Sequence, residues 1–482
     1  MERLLAADRL DEARALAERA LTRNPSSASA QFLLGTVCEK QRDLAAAEAA
    51  YRAAIARDDR MARAHDRLGF VLGLRGDTAG AVGEFQRAVA LDPALADAQY
   101  HLGATLWWTK QIDGAREALE RAVKLRPAHA ESRYYLGVTK RQQGDVAGAI
   151  ADLRRAIALD PKLAPAHLQL GVALQEYGDI DGAIDHLRRA TVLDPSRSDA
   201  ANSLGLAYMQ QGDATHAVET LRAVVAAHPE FGTARLNLGN ALLQSGDIAG
   251  AIDVYRELSR REPENAEAFY DLGLALKQKD DFEEAEAALR ASHRLDPAMP
   301  EASYTLGVVL WQTGRGEDAA AAFRDAIAAK PDYADAHYML GTVLKQRGDA
   351  DSALREFRET IRINPSSPEA YTSIGQLLGS TGDVAGAADA LAQAKRLNKV
   401  KADSQASIFA VNAGAEQLRH NGVAAAIEKF REAVRLDPHN AQAHYQLAIA
   451  LRRRGALAEA RKEFDEARRL APYLRPPAAA DK

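Results

Sequence analysis

Apolar residues recur along this chain at the spacing of amphipathic helices, and the whole pattern repeats every 34 residues. In residues 96–129, Ala96–Lys110 and Ala115–Arg126 both carry apolar side chains at helical spacing, and Pro127 follows the second stretch. We expect residues 112–114, Ile-Asp-Gly, to form the turn between them. Each repeat is therefore predicted to be a hairpin of two helices.

Small and large residues alternate at fixed places in these hairpins. An alanine stands twelve residues after one recurring glycine, and a large apolar residue such as Tyr51, Phe85 or Leu119 follows four residues later. Glycine costs about 1 kcal/mol in a helix interior relative to alanine, so its recurrence indicates close packing between helices. The register glycines are Gly35, Gly69, Gly103, Gly137, Gly171, Gly205, Gly239, Gly273, Gly307, Gly341 and Gly375.

Turn and stop signals agree with this interpretation. Seven repeats carry a Gly-Asp pair between the helices, in which glycine can end the first helix in the left-handed conformation and aspartate can cap the second. Prolines recur at one phase, as at Pro93, Pro127 and Pro161, where they stop the second helix. These features predict an all-α solenoid of tandem helical hairpins.

The set Leu102-Gly103, Ala115, Leu119, Ala122 and Pro127 resembles the tetratricopeptide repeat signature, and comparable sets recur along almost the whole chain. The resemblance implies a right-handed superhelix whose first helices line the concave face. It also implies a protein-interaction role, although the fold alone does not specify a function.

The register is interrupted once, by five extra residues between Gly375 and Gly414, and Ala448 stands at the register position 34 residues after Gly414. The interrepeat proline is missing there as well. We predict a kink or flexible joint at residues 398–406, between an eleven-repeat array (residues 28–397) and a two-repeat C-terminal module (residues 407–474). Residues 475–482 are predicted to be a disordered tail.

The chain begins in the middle of a repeat, because counting back one period from Gly35 reaches Met1. Residues 1–27 are thus predicted to be a partial repeat with a second helix at Leu10–Arg23. Two interpretations stay open for apolar residues such as Leu16 near this end. Either a partner covers them, or the natural start lies upstream and includes a signal sequence or a further domain.

Composition limits the possibilities further. Of the 482 residues, 47% are hydrophobic but only 6% are aromatic, which favours Ala- and Leu-rich helices. Without a run of about 18 apolar residues or a signal-like N-terminus, the sequence predicts a cytoplasmic protein with no membrane insertion. A periplasmic location would follow if a leader precedes Met1. The single cysteine, Cys38, is predicted to be a core residue.

Charge is unevenly distributed along the chain. From Lys395 onward there are 17 basic and 10 acidic residues, a net charge of +7, which leaves −12 for the preceding residues of a chain whose net charge is −5. An acidic array argues against nucleic-acid binding, which needs a basic groove with stacking side chains. The basic C-terminal part is either an ordinary solvated surface or a partner site.

No motif in the sequence predicts catalysis. His-Glu-x-x-His, phosphate-binding and nucleophile-elbow motifs do not occur. Four histidines, His65, His167, His337 and His444, lie one helical turn before the register residue, and we interpret them as packing substitutes. The prediction is a protein without catalytic residues, cofactors or metal ions.

The candidate binding surface follows the first helices. Residues three before, one after and four after the register glycine share a helical stripe, and an amide often stands five after it. Aromatic side chains can anchor a partner and amides can pair with its backbone, although both residue types also occur as ordinary repeat-packing residues. The candidates are Tyr100, Trp107, Trp108, Tyr134, Gln142, Gln210, Asn237, Asn240, Gln244, Tyr270, Gln278, Tyr304, Trp311, Gln312, Tyr338 and Gln346.

The leading hypothesis is a non-catalytic scaffold that binds an extended peptide or a partner helix along this surface. A basic clamp for a peptide carboxylate is not matched, because Asp271 stands where a cation is required. Two alternatives remain: a substrate-recruiting array of a larger enzyme, similar to that of O-linked N-acetylglucosamine transferases, and a periplasmic assembly or secretion factor. The partner and the oligomeric state are left open.

Overall fold

Helices joined by short turns make up the protein. The computed structural model describes Leu4, Ala7, residues 9–471 and Leu474, and it contains 26 helices between Leu10 and Leu470. They are α1 (Leu10–Arg23), α2 (Ala28–Lys40), α3 (Leu44–Ile55), α4 (Ala62–Leu74), α5 (Thr78–Leu91), α6 (Ala96–Trp108), α7 (Ile112–Leu125), α8 (Ala130–Gln142), α9 (Val146–Leu159), α10 (Ala164–Tyr177), α11 (Ile180–Leu193), α12 (Ser198–Gln211), α13 (Ala214–Ala227), α14 (Gly232–Ser245), α15 (Ile248–Arg261), α16 (Ala266–Gln278), α17 (Phe282–Leu295), α18 (Pro300–Gln312), α19 (Gly316–Ala329), α20 (Ala334–Gln346), α21 (Ala350–Ile363), α22 (Pro368–Ser380), α23 (Val384–Arg419), α24 (Val423–Leu436), α25 (Ala441–Arg453) and α26 (Leu457–Leu470).

The described residues fall into two compact units, an N-terminal unit up to His228 and a C-terminal unit from Pro229. Within each unit, every helix packs against the next helix along the chain. The even-numbered helices from α2 to α22 are the first helices of the hairpins, and the odd-numbered helices that follow them are the second helices. The predicted all-α solenoid of tandem hairpins is therefore confirmed.

Glycine and aspartate connect the helices in the way that the turn signals predict. Gly76 adopts a φ of 89°, in the left-handed region, and the Asp77 carboxylate accepts a hydrogen bond from the Gly80 backbone N–H at 2.8 Å. The same arrangement recurs at the other six Gly-Asp pairs, where each glycine has a positive φ and each aspartate caps the following helix.

One predicted turn lies in a different place. α6 ends at Trp108 and α7 begins at Ile112, so the turn is residues 109–111 rather than residues 112–114. Lys110 adopts a φ of 60° there and takes the role that glycine has in other repeats. Asp113 and Gly114 lie instead in the first turn of α7, where an acidic residue is favourable.

The register glycines lie against large buried side chains of the second helices. A Cβ at Gly239 would be 2.3 Å from Cε1 of Tyr255, whose side chain is fully buried. Gly35 meets Tyr51 and Gly307 meets Phe323 in the same manner. We call these large residues, sixteen positions after each register residue, the plugs. The packing role predicted for the glycines is confirmed.

The four histidines one turn before the register residue are buried, as expected of packing residues. They also bridge elements, because His444 contacts the Glu463 carboxylate through Nδ1 at 2.6 Å and the Pro438 carbonyl through Nε2 at 3.1 Å. His65 and His337 make corresponding contacts, and the Glu463 carboxylate raises the pKa of His444. His167 instead meets His186 at 3.1 Å, and burial lowers the pKa of both imidazoles.

The five-residue insertion does not interrupt a helix. α23 runs for 36 residues and includes all of residues 398–406, so these residues are helical, and the kink or flexible joint there stays a prediction. Residues 398–406 contain neither proline nor glycine, and nothing stops the second helix of one repeat from continuing into the first helix of the next. The division into an eleven-repeat array and a two-repeat module stays a prediction.

At the two ends, only part of what was predicted falls on described residues. The helix expected at Leu10–Arg23 is present as α1, and the Leu16 side chain on it is exposed. The predicted tail, residues 475–482, lies outside the described residues.

Candidate functional site

Apart from Asn237, the candidate residues lie on what we call the first-helix face of each unit, formed by the positions three before and one, four and five after each register residue. Neighbouring first helices contact each other on this face. A hydrogen bond joins the side chain four residues after one register glycine to the side chain five residues after the next register glycine. Examples are Arg141–Glu176 at 2.6 Å, Gln175–Gln210 at 3.0 Å and Trp311–Gln346 at 2.9 Å.

These contacts divide the predicted amides into two groups. Gln210 and Gln346 already accept a hydrogen bond from a side chain of the preceding repeat, so part of their capacity serves repeat stacking. Gln142, Gln278 and Gln312 have exposed side chains on the same face. An exposed amide can both donate to and accept from the backbone of a bound segment.

The candidate tyrosines at the position three before the register glycine are each partly packed and partly exposed. Tyr100, Tyr134, Tyr270, Tyr304 and Tyr338 are all half-buried. The Tyr304 ring lies 5.8 Å from the plug Phe323, the Tyr338 ring lies 5.6 Å from the plug Phe357, and burial raises the pKa of the Tyr304 phenol. The rings therefore stabilise the hairpins and present only one edge to solvent.

The three tryptophans differ sharply in their surroundings. Trp107 packs edge-to-face on Tyr135 at 5.6 Å, and its indole nitrogen is buried without a hydrogen-bond partner among the described residues. Trp311 donates to Gln346. Trp108, at the end of α6, is 70% exposed. Of the three, Trp108 offers the most surface to a partner.

An apolar recess lies on the first-helix face of the N-terminal unit, between α4 and α6. Its volume is about 230 Å³, and Leu74, which is 57% exposed, stands at its edge. Gly73 contributes no side chain, and a Cβ there would meet only the Ala81 Cβ, at 3.7 Å. The recess is lined by Gly69, Phe70, Gly73, Leu74, Phe85, Tyr100, His101, Ala104 and Thr105. It is smaller than the 300–1,000 Å³ or so of small-molecule sites and fits one large side chain.

Neither this recess nor the exposure of Leu74 is predicted from the sequence. Leu74 and Trp108 both stand five residues after a register glycine, where later repeats carry amides. At the position five residues after the register glycine, the residue type changes from apolar in these two repeats to amide in most later repeats. This change is the sequence signal that points to the recess.

The remaining candidates lie near Asp271 in the C-terminal unit. Asn240 accepts a hydrogen bond from the Tyr255 hydroxyl at 2.7 Å and is thereby tied to the plug, and Asn237 is half-buried. Asp271 is half-buried too, and burial, assisted by the nearby Glu267 carboxylate, raises its pKa to about 7. This part of the face therefore carries a carboxyl group that titrates near neutral pH.

We expect Asp271→Asn to stabilise the protein at pH 8 and to stabilise it much less at pH 5. The pKa of Asp271 is about 7 in the folded protein against an ordinary value of 3.8, so the folded state holds this proton more tightly than the unfolded state. Stability is therefore lost as the pH rises from about 4 to about 7, and asparagine removes that loss. Thermal melting should show a Tm that the substitution raises by a few degrees at pH 8 and by clearly less at pH 5. An equal shift at both pH values would contradict this assignment.

Other kinds of site are limited in the described part of the chain. It contains no group of three or more His, Cys, Asp or Glu side chains that could hold a metal ion. None of its helices combines the length and the apolar character needed to cross a membrane. Cys38 is buried in the core, as predicted.

Stacked hairpins whose first helices share a face within each unit define a class of protein, the helical-repeat solenoids. Two models of the tetratricopeptide repeat match the chain, one at residues 2–62, 109–164 and 412–474 and the other at residues 74–136 and 140–206. The chain belongs to the tetratricopeptide repeat family. A model of the cilia and flagella-associated protein 70 C-terminal domain also matches, at residues 196–411.

Solved structures similar to the chain include several repeat proteins. MamA is 31% identical over 34% of this chain and 96% of its own, with a TM-score of 0.33. YrrB, described as a TPR protein with an unusual peptide-binding site, is 23% identical over 38% of this chain and 95% of its own, with a TM-score of 0.35. A tetratricopeptide repeat protein from Parabacteroides merdae ATCC 43184 is 15% identical over 52% of this chain and 98% of its own, with a TM-score of 0.42. No curated protein matches the chain.

The tetratricopeptide repeat fold suggests a protein–protein interaction scaffold and implies protein or peptide partners. The family is generally non-catalytic.

Proposed function

We propose that this chain is a non-catalytic scaffold that binds an extended peptide segment or a partner helix on its first-helix face. The anchor point is the recess of the N-terminal unit, between Leu74 and the neighbourhood of Trp108. The observation that carries the proposal is an open apolar recess with the exposed Leu74 in its lining, together with the exposed Trp108 at the end of α6, the helix that supplies Ala104 and Thr105 to that lining.

The recess favours an apolar side chain of the partner. Phe70 and Tyr100 supply aromatic walls, and the missing side chain at Gly73 leaves the space unfilled. Burying one large apolar side chain there would stabilise a complex by about 1.5–3 kcal/mol. Interface energy is typically concentrated in such buried anchors, with the surrounding contacts excluding water.

Exposed amides supply the second kind of contact. Gln142 lies on the first-helix face one repeat beyond Trp108, and its exposed side chain can pair with the backbone of a segment anchored in the recess. The half-buried tyrosines of the C-terminal unit offer less area than Trp108, because their rings already pack on plugs. This comparison favours the N-terminal unit as the main anchor.

The test is the affinity of a peptide selected against the full chain from a random displayed library and then synthesised with a fluorophore. Gly73→Leu fills the recess and Trp108→Ala removes the exposed ring, so we expect each change to weaken binding about tenfold or more. Val192→Ala is the matched control, because Val192 is also an exposed apolar residue but lies on the second helix α11. Circular dichroism should stay helical in all three variants.

Binding that is insensitive to Gly73→Leu and Trp108→Ala would overturn the anchor assignment. Loss of binding in Trp311→Ala, with both N-terminal variants unaffected, would move the anchor to the C-terminal unit. Failure to select any peptide that binds the first-helix face would contradict the scaffold proposal itself.

A further inference from the structure

Exposed apolar side chains are concentrated on one helix, α23. Thirteen large hydrophobic side chains among the described residues are substantially exposed, and five of them lie on this helix. The five are Val384, Leu391, Val400, Ile408 and Phe409. A single surface helix with this many apolar residues in solvent needs an explanation.

The N-terminal half of α23 lacks a neighbour that other second helices have. Its plug, Leu391, is 45% exposed, whereas the plugs of the other described repeats are buried. Val384 is 75% exposed, close to the 67% of the corresponding Leu457 in the last hairpin. Because α23 continues instead of turning back, no first helix covers this half, and it resembles the end of a stack.

The C-terminal half of α23 is uncovered for the same reason. Phe409 stands five residues before Gly414, where the other described repeats carry a buried alanine or serine such as Ala98 or Ser132. No second helix of a preceding repeat lies over this position, and the Phe409 side chain is 74% exposed. The insertion thus leaves two uncovered surfaces on one continuous helix.

Three of the five exposed apolar residues, Val384, Leu391 and Phe409, lie on a single stripe. Leu391 and Phe409 are separated by about five turns of 3.6 residues, so they lie on one line along the helix. Exposed residues follow that line at alternating spacings of four and three, which is the spacing of a coiled-coil seam. The seam consists of Val384, Ala388, Leu391, Lys395, Asn398, Ala402, Gln405, Phe409, Asn412 and Glu416, all of them exposed.

We propose that this seam packs against the same seam of a second copy of the chain, with the two α23 helices antiparallel about a two-fold axis near residue 400. In this arrangement Leu391 meets Phe409 of the partner subunit, and the reciprocal contact forms on the other side of the axis. Two-fold contacts of this kind use one surface patch on both subunits.

The part of the seam between Leu391 and Phe409 is self-complementary in size and in charge. Its two large side chains, Leu391 and Phe409, pair with each other across the axis rather than with polar residues. Lys395 meets Gln405 of the partner subunit, and Asn398 meets Ala402 of the partner subunit, so no like charges oppose each other within the seam. A 36-residue helix is about 54 Å long, which gives the contact a continuous length of several heptads.

Lys399 and Lys401 flank the seam near the axis and approach the same residues of the partner copy. Lys401 is partly compensated by Glu369, 3.7 Å away on α22. Salt screens the remaining repulsion between exposed cations, so the dimer should strengthen as ionic strength rises. An acidic partner helix bound to the same seam would show the opposite salt dependence.

Sedimentation velocity of the full chain over a concentration series tests the proposal. We expect a monomer–dimer equilibrium that shifts toward the dimer between 50 and 500 mM salt. Phe409→Glu and Leu391→Glu should each weaken dimerisation at least tenfold with unchanged circular dichroism, because both side chains are exposed. Val400→Glu is the matched control: Val400 is 60% exposed on the same helix but lies about half a turn away from the seam.

Cross-linking tests the orientation. Leu391→Cys mixed with Phe409→Cys should give a disulfide-linked dimer of the two variants, whereas each variant alone should not, and the native Cys38 is buried. A monomer at every concentration, a dimer insensitive to Phe409→Glu, a dimer weakened by salt, or linkage of Leu391→Cys to itself would overturn the proposal. Phe409-dependent capture of a synthetic acidic amphipathic helix by a monomeric chain would assign the seam to a partner protein instead.

Discussion

Gly239→Ala is expected to destabilise the C-terminal unit by about 1–3 kcal/mol, although alanine is the better helix former. The new methyl group would lie 2.3 Å from Cε1 and 2.4 Å from Cζ of Tyr255, whose ring is fully buried and whose hydroxyl bonds Asn240. The ring cannot move without losing that bond and shifting the helix pair. The overpacking cost therefore exceeds the gain in helix propensity, and thermal unfolding should show a lower Tm.

Gly379→Ala provides the matched control for this result. It is the same substitution in a first helix of the same unit, but a Cβ at Gly379 would meet only the Ala387 Cβ, at 3.7 Å. Without a clash, alanine should stabilise the helix by about 0.5–1 kcal/mol. The two variants should therefore move the Tm in opposite directions. If both raise it, the close approach of plug and register glycine does not determine which residue is tolerated.

Val400→Pro is expected to disrupt α23 locally, at a cost of about 3 kcal/mol or more. Proline removes the backbone N–H of residue 400 and clashes with the carbonyl four residues earlier. The Val400 side chain is exposed, so little of the effect can come from lost packing. Hydrogen exchange should show reduced protection of the amides near residue 400, accompanied by a loss of helical signal in circular dichroism.

Val400→Ala is the appropriate comparison, because it shortens the side chain and keeps the backbone donor. That variant should retain the protection of the parent protein. If residues 398–406 were the flexible joint that the broken register predicts, proline would be tolerated there and the two variants would behave alike.

The sequence predicts the hairpins well because the signals that make them are local. A Gly-Asp pair carries both the left-handed residue and the cap, and the register glycine and its plug are only sixteen residues apart. The insertion at α23 has no such signal. Recognising a fused helix requires noticing that no proline or glycine stands between Leu397 and Ser407, so that helix propagation has nothing to oppose it.

The candidate face is predicted only in outline. Helical periodicity places Tyr304 and Tyr338 on the correct stripe, but it does not reveal that their rings pack on Phe323 and Phe357. The recess forms between α4, which supplies Gly73 and Leu74, and α6 of the next repeat. A residue pattern within one repeat therefore does not reveal it. The raised pKa of Asp271 likewise follows from burial, which no residue pattern specifies.

The continuous α23 also sets a limit to cooperative unfolding. In stacked repeat proteins, each hairpin is stabilised by its interface with the neighbouring hairpins, and this interface makes their unfolding cooperative. At Leu391 that contact is missing, and the helix backbone is the main connection that remains. We therefore expect the two hairpins that include Gly414 and Ala448 to unfold and refold while the hairpins before them stay folded, so that the C-terminal unit melts in two steps instead of one.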